Sequence, residues 1–301
     1  MKVFSRGNSW AGATQSDVRE LAFGELNDAL AIARLDPVAN VLVIAHLEEC
    51  RVLGRLTAPL WGFPATGQLE SICWAGANLM PVVPSHDPRH LIAFAAQAMS
   101  GPRRSSSIVG DAADVAVFWE ALSGPWHTAR EIRAHQPSMI MTAPAQVPAN
   151  PAVRFADLDE FDQVFPASVA MFHEEVGVSP LGYGSSMYEQ RVRYLIAERR
   201  TMIDKAMMET DRSGGAWPLV TFKADFGAVT SEVAQVQGVW VHPDYRGQGR
   251  SVPAMATVVN EGLRTLAPII SLYVNDYNAR ALATYRRVGF EQVGVFASIL
   301  F

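Results

Sequence analysis

The sequence predicts an α/β fold of mixed, mostly antiparallel sheets flanked by helices, laid out twice along one chain. Short apolar runs of strand length alternate with apolar-periodic segments of helix length from end to end. The order of these elements before residues 142–151 broadly matches the order after them. One stretch stands apart: residues 236–252 read as a strand that stops at Pro243, turns through Gly247 and Gly249, and enters a helix.

At 301 residues the chain has room for one large domain or two of ordinary size. A hydrophobic content of 49% with 18% charged residues belongs to an ordinary globular protein. The net charge of −5 and a pI near 5.8 argue against a broad nucleic-acid-binding surface. Cys50 and Cys73 have neither metal-ligand spacing nor a disulfide framework, which suits a reducing cytosol. No run approaches the roughly 20 apolar residues of a membrane span, and residues 1–20 have no apolar core of signal-peptide length. The expectation is a cytoplasmic protein with no membrane, nucleic-acid or metal partner.

In the first half, residues 17–47 carry Val18, Leu21, Leu26, Leu30 and Ile32 at helical spacing, with Ser16 and Asp17 to cap the start. Asp36-Pro37 breaks the pattern into two helices. Runs 51–60 and 69–77, separated by turn residues from Trp61 to Gly67, predict a β-hairpin. Strand 78–84, helix 90–99, strand 105–110, helix 113–122 and an extended piece at 131–141 follow. Residues 142–151 hold three prolines and little to bury, so they are the expected linker between a domain at 1–141 and one at 152–301.

The second half opens with strand 153–155 and a helix from Asp157, acidic in its first turn, that Pro166 ends or kinks before it resumes to Glu175. A Gly/Pro-rich loop at 177–184 leads to an amphipathic helix at 188–200. Strands 219–223 and 228–241, the glycine loop, helix 253–266, strand 270–275, helix 279–288 and a terminal strand complete it. Segment 78–84 corresponds to 238–243, 105–110 to 271–276, and 115–122 to 281–288. Where the second half has its glycines, the first has Ser85-His86-Asp87-Pro88, so the N-terminal copy should bind phosphate poorly or not at all.

A strand that enters a helix through glycines leaves backbone NH groups unpaired at the positive end of the helix dipole, which is an anion site. Gly247 and Gly249 let the backbone approach a bulky ligand. The spacing fits neither a nucleotide P-loop nor a dinucleotide fingerprint.

Downstream, Asn278-x-x-Ala281 is followed by Tyr285-x-x-x-Gly289-Phe290. With the loop Arg246-Gly247-Gln248-Gly249-Arg250-Ser251, this segment resembles the GNAT family of N-acetyltransferases over residues 153–301. The first half looks like a degenerate copy, as in tandem members of that family. The resemblance implies two tandem GNAT-like domains, each with a sheet splayed beside the loop. It implies acetyl-CoA as acyl donor, and direct transfer within a ternary complex to an amine acceptor, a small molecule or a protein amine. Carried over by motif, the peptide groups of Val239, Trp240 and Val241 pair with pantetheine. The loop from Arg246 through Gly247, Gln248, Gly249 and Arg250 to Ser251 holds the pyrophosphate, and Asn275, Asn278 and Arg280 line the cofactor's other side. Ser251 departs from the usual Gly or Ala but keeps its NH.

Tyr285 matches the tyrosine that protonates the departing CoA sulfur in many members, and a phenol can donate to a thiolate within hydrogen-bond reach. The bland reading packs its ring beneath the sheet. The strand that often supplies a glutamate base here offers Gln235 and Gln237, which cannot take a proton. Glu174, Glu175, Asp276, the carboxylate of Phe301 or a water chain are the replacements, with His173 and His242 behind them; such groups are more often solvated surface. The rival reading is a non-catalytic acyl-CoA-binding or regulatory module. Trp61, Trp74, Trp119 and Trp240 read as core, and Arg191, Arg193, Arg199 and Arg200 as a solvated helix face.

Overall fold

The computed structural model describes residues 14–126, 128–182, 185–209 and 216–301. The chain divides into two compact units, one running to Pro137 and adding Gly294–Phe301, the other Ser138–Val293.

In the first unit, helices α1 (Leu26–Ala33) and α2 (Val41–Leu53) precede strands β2 (Leu60–Phe63), β3 (Ser71–Ala75) and β4 (Asn78–Val82). Then come α3 (Pro88–Met99), β5 (Ser107–Asp111) and α4 (Ala112–Trp126). The expected helix start at Ser16-Asp17 is corrected: Gln15–Asp17 form a single 3-10 turn, and β1 (Arg19–Glu20) pairs antiparallel with β2. Val18 and Leu21 therefore border an edge strand rather than a helix face. Trp61, Gly62 and Phe63, expected in a turn, are strand residues, and the turn falls to 64–68. The core gathers Leu91, Phe94, Ile108, Val115, Phe118 and Leu122 between the sheet and the α3–α4 pair.

In the second unit, β7 (Arg154–Phe155), α5 (Phe161–Val176) and α6 (Ser185–Ala197) lead to β8 (Thr201–Glu209), β9 (Ala216–Val229) and β10 (Val233–Val241). After these come α7 (Ser251–Thr265), β11 (Ile269–Tyr273) and α8 (Ala279–Val288). Three expectations change here. Helix α5 is not ended at Pro166 but continues to Val176, because Phe161, Val164 and Ala167 are buried along one face and packing outweighs one lost backbone bond. Strand β8 went unread because Thr201, Asp204 and Lys205 interrupt its apolar pattern. The run 228–241 is two strands, divided where the Thr230 hydroxyl accepts from the amides of Glu232 and Val233.

Each unit takes a strand from the other half of the sequence. Of β12 (Glu291–Leu300), residues 296–300 pair antiparallel with β5 in the first unit. Of β6 (Glu131–Met141), residues 138–141 pair antiparallel with β11 in the second. The second unit's sheet runs β6-β11-β10-β9-β8-β7. Among the described residues no helix is long and apolar enough to cross a membrane.

Candidate functional site

The site is built where β10 and β11 part. They pair in parallel from Val233↔Ile269 to Gln235↔Ser271 and no further, whereas β10 continues along β9 to Val241↔Phe222 and β11 continues along β6 to Tyr273↔Ser138. Beyond Gln235 the β11-facing peptide groups of β10 have no strand partner, leaving a backbone edge open to a ligand. The register of β10 against β9 shifts between Gln237 and Trp240. Within that bulge Gly238 has φ +56°, and a Cβ there would lie 2.9 Å from Met171 Cε and 3.3 Å from Asp225 Oδ2.

Past Val241, a 3-10 turn at Pro243–Tyr245 redirects the chain into the loop. Gly247 and Gly249 both have φ +73°, which glycine tolerates without strain, and both would point a Cβ into open space. Among the described residues the amides of Gly247, Gln248, Gly249 and Arg250 make no hydrogen bond, and α7 has no side-chain cap. Free amides over a 15-residue helix's first turn form an anion nest, so the residues present fit a pyrophosphate. Loop side chains brace it from outside. Gln248 Nε2 donates to Asp244 O at 2.9 Å, the Arg250 guanidinium lies 4.7 Å from the Tyr245 ring centroid, and Ser251 Oγ is 3.3 Å from Thr284 Oγ1.

Of the expected pantetheine contacts, Val239 and Val241 pack partly on the α7-side core, while the Trp240 ring turns to the opposite face among α5 and α6. Asn278 caps α8, its Oδ1 accepting from the Ala281 amide at 3.1 Å. Asn275 is buried, and exposed Arg280 makes no ion pair among the described residues although it sits in the first turn of α8.

Tyr285 is buried in the core of this unit, edge-on to Phe290 at 5.8 Å. Burial raises its phenol above the ordinary value, and the charge of Glu175 pushes the same way. Glu174 is engaged: Oε1 accepts from Trp240 Nε1 at 3.1 Å and from Arg246 at 3.0 Å, and Oε2 accepts from Arg246 at 2.8 Å. Gln237 Nε2 donates to Gln235 Oε1 at 2.9 Å, which ties the two side chains together. His242 Nδ1 accepts from the Asp244 amide at 3.3 Å. Phe301 belongs to the first unit, where Arg103 stacks on its ring at 4.8 Å.

Sequence reasoning missed the polar cluster behind the bulge. Lys223, 1% exposed, pairs with Asp225, which also accepts from Thr201 Oγ1 at 2.7 Å. The signal was present as Lys223-Ala224-Asp225 inside an otherwise apolar strand.

Comparison with known proteins finds a family model for part of this unit and solved structures of similar fold. Residues 214–290 match the acetyltransferase (GNAT) family, and residues 58–164 match a domain of unknown function (DUF4081). No curated protein matches the chain. Among solved structures, a GCN5-related N-acetyltransferase from Sphaerobacter thermophilus aligns at TM-score 0.58 and 13% identity, over 94% of this chain and 95% of that one. A GNAT-family acetyltransferase from Colwellia psychrerythraea aligns at 0.57 and 12%, over 94% and 99%. A tandem GNAT protein from the clavulanic acid biosynthesis pathway aligns at 0.53 and 13%, over 94% and 98%. At such identities the likeness is one of fold, and the fold is the tandem GNAT one.

Proposed function

Starting from a GNAT acetyltransferase domain at residues 214–290, we propose that the second unit moves an acetyl group from acetyl-CoA to an amine acceptor by direct transfer in a ternary complex. The observation that carries this reading is the parting of β10 from β11 beside two left-handed glycines at the head of α7. Acetyl-CoA, when bound, supplies the activated acetyl group. The open edge of β10 at Val239, Trp240 and Val241 binds the pantetheine, and the amides from Gly247 to Ser251 hold the pyrophosphate. Arg280, a cation with no ion pair among the described residues, offers a further contact to phosphate.

Tyr285 holds a proton at its hydroxyl through the working pH range. A phenol raised above about 10 is a weaker acid than a thiol near 8.5, a gap of at least about 2 kcal/mol, so Tyr285 acts as a hydrogen-bond donor to the departing sulfur rather than as a strong acid. In this reading Glu175 is the carboxylate that takes the proton from the amine. Two buried free thiols, Cys50 and Cys73, suit the cytoplasmic setting it carries.

The second reading, acyl-CoA binding without transfer, is favoured by two hydrogen-bonded amides, Gln235 and Gln237, where a base is expected. Calorimetry with acetyl-CoA, followed by transfer assays over an amine panel, separates the two. One site per chain with turnover supports the enzyme. Binding without turnover for any amine supports the module, and no binding removes both.

A further inference from the structure

We propose that Glu174 is a positioning residue for the anion-binding loop, acting through Arg246, and that it does not take the acceptor's proton. The inference rests on the reading of that loop as the acetyl-CoA site.

Glu174 lies in the last turn of α5, three residues before Gly177 ends the helix at φ +78°. Its two oxygens receive three hydrogen bonds, from Trp240 Nε1 and, at both oxygens, from one Arg246 nitrogen. Arg246 in turn donates from Nε to Val241 O at 2.8 Å. One carboxylate thus fastens three pieces of chain: the end of α5, the outgoing end of β10, and the first residue of the glycine loop. The guanidinium of Arg246 is turned back onto the strand and its charge is met by Glu174, so it sets the loop's geometry instead of facing a phosphate.

The loop has reason to need such an anchor. Gly247 and Gly249 carry the largest conformational freedom of any residue type, and an anion nest binds well only when its amides already converge. The Glu174 and Arg246 side chains are 44% and 41% exposed, so the charge attraction alone contributes little. The contribution lies in the shared geometry, since both Arg246 contacts constrain the same backbone corner. A proton acceptor needs a lone pair aimed at the incoming amine, and at Glu174 the contacts to Trp240 and Arg246 occupy three of the carboxylate's roughly four acceptor positions and hold its orientation toward the loop.

The test uses the full chain with E174A, E174Q, R246A and the E174A/R246A double variant, reading acetyl-CoA affinity by calorimetry and the pH profile of kcat with an accepted amine. E174A is expected to weaken acetyl-CoA binding about tenfold. R246A should do the same, and the double variant no more than either alone, because they remove one tie. E174Q keeps an acceptor oxygen for Trp240 and Arg246 and should restore affinity to within about threefold, with the acidic limb of the kcat profile intact. An unchanged Kd in E174A overturns the inference, and loss of that limb in E174Q with Kd intact overturns it and makes Glu174 the base. Wild-type protein that binds no acetyl-CoA removes the acetyl-CoA reading and this inference with it. Thermal melting of E174Q at the wild-type temperature excludes misfolding as the cause of any change.

Discussion

The turn at Ser85-His86-Asp87-Pro88 and the turn at 246–251 do the same topological work in the two units. Each leaves a strand that parts from its parallel neighbour and enters a long helix. β4 pairs with β5 only at Asn78↔Ser107 and Leu79↔Ile108, much as β10 pairs with β11 at three positions. In the second unit the parted edge stays open and the helix start is bare. In the first, Pro81 O lies 3.6 Å from where a Cβ on Gly110 would sit, so the two strands remain in contact. His86, after β4, reaches Asp114 at the start of α4 at 2.9 Å. The head of α3 is capped by its own Asp87 carboxylate, which accepts from the Arg89 amide at 2.9 Å and is held down at about 2 chiefly by the Arg89 side chain. Pro88 has no NH to offer. The head of α3 is thus occupied by its own carboxylate, with the His86–Asp114 contact beside it, where the head of α7 is bare.

The buried carboxylates differ in the same sense. Asp114 in the first unit is raised above its ordinary value by burial, against the pull of His86. Glu160 in the second is held at about 2, first by Arg154 and, despite burial, by Lys205 as well. One unit keeps a carboxyl whose charge is costly, the other a carboxylate whose charge is fully met.

The sharpest way to break the comparison is Gly249→Val. At φ +73° a β-branched residue is strained, and its methyl groups enter the space left for the ligand, so acetyl-CoA affinity should fall at least about 100-fold by calorimetry. An unchanged affinity would mean that the open helix start is not the anion site.

Arg154→Ala should cost the protein about 2–3 kcal/mol in denaturant unfolding, since it removes two charge-assisted bonds to a buried carboxylate. The sign with pH follows from the depressed Glu160 carboxyl. Its contribution is complete above the unfolded value of 4.5 and is lost as pH falls from there through about 2. If acid sensitivity in that window is the same in wild type and Arg154→Ala, the contrast between the two carboxylates fails.

His86→Ala is the mildest change, leaving Asp114 without its imidazole at a cost of about 1 kcal/mol and acetyl-CoA affinity unmoved. Because Asp114 raises His86, the His86–Asp114 clasp is at full strength from pH 6.5 down to where Asp114 itself takes a proton, and it weakens as pH rises through the raised His86 value. Appearance of a second acetyl-CoA site in this variant would show that the clasp alone had closed the first unit.

Much of this was legible in local sequence. The glycines at 247 and 249 and the helices read at 90–99, 253–266 and 279–288, found at 88–99, 251–265 and 279–288, follow from residue types whose backbone preferences act over a few positions. Strand β8 was not legible, because its polar residues find partners on other elements: Lys205 on Glu160, Thr201 on Asp225. The exchange of β6 and β12 was likewise hidden, since a strand's pattern says which face is apolar and not which edge it will join.

Sequence by itself therefore determined the loop's conformation: two glycines before a periodic helix let the chain take left-handed backbone there and leave the helix start uncapped. Tertiary structure decided what surrounds it. The direction of the Trp240 ring and the tie from Glu174 to Arg246 depend on segments up to 72 residues apart meeting in space. Such contacts are set by how whole elements pack, and no local preference encodes them.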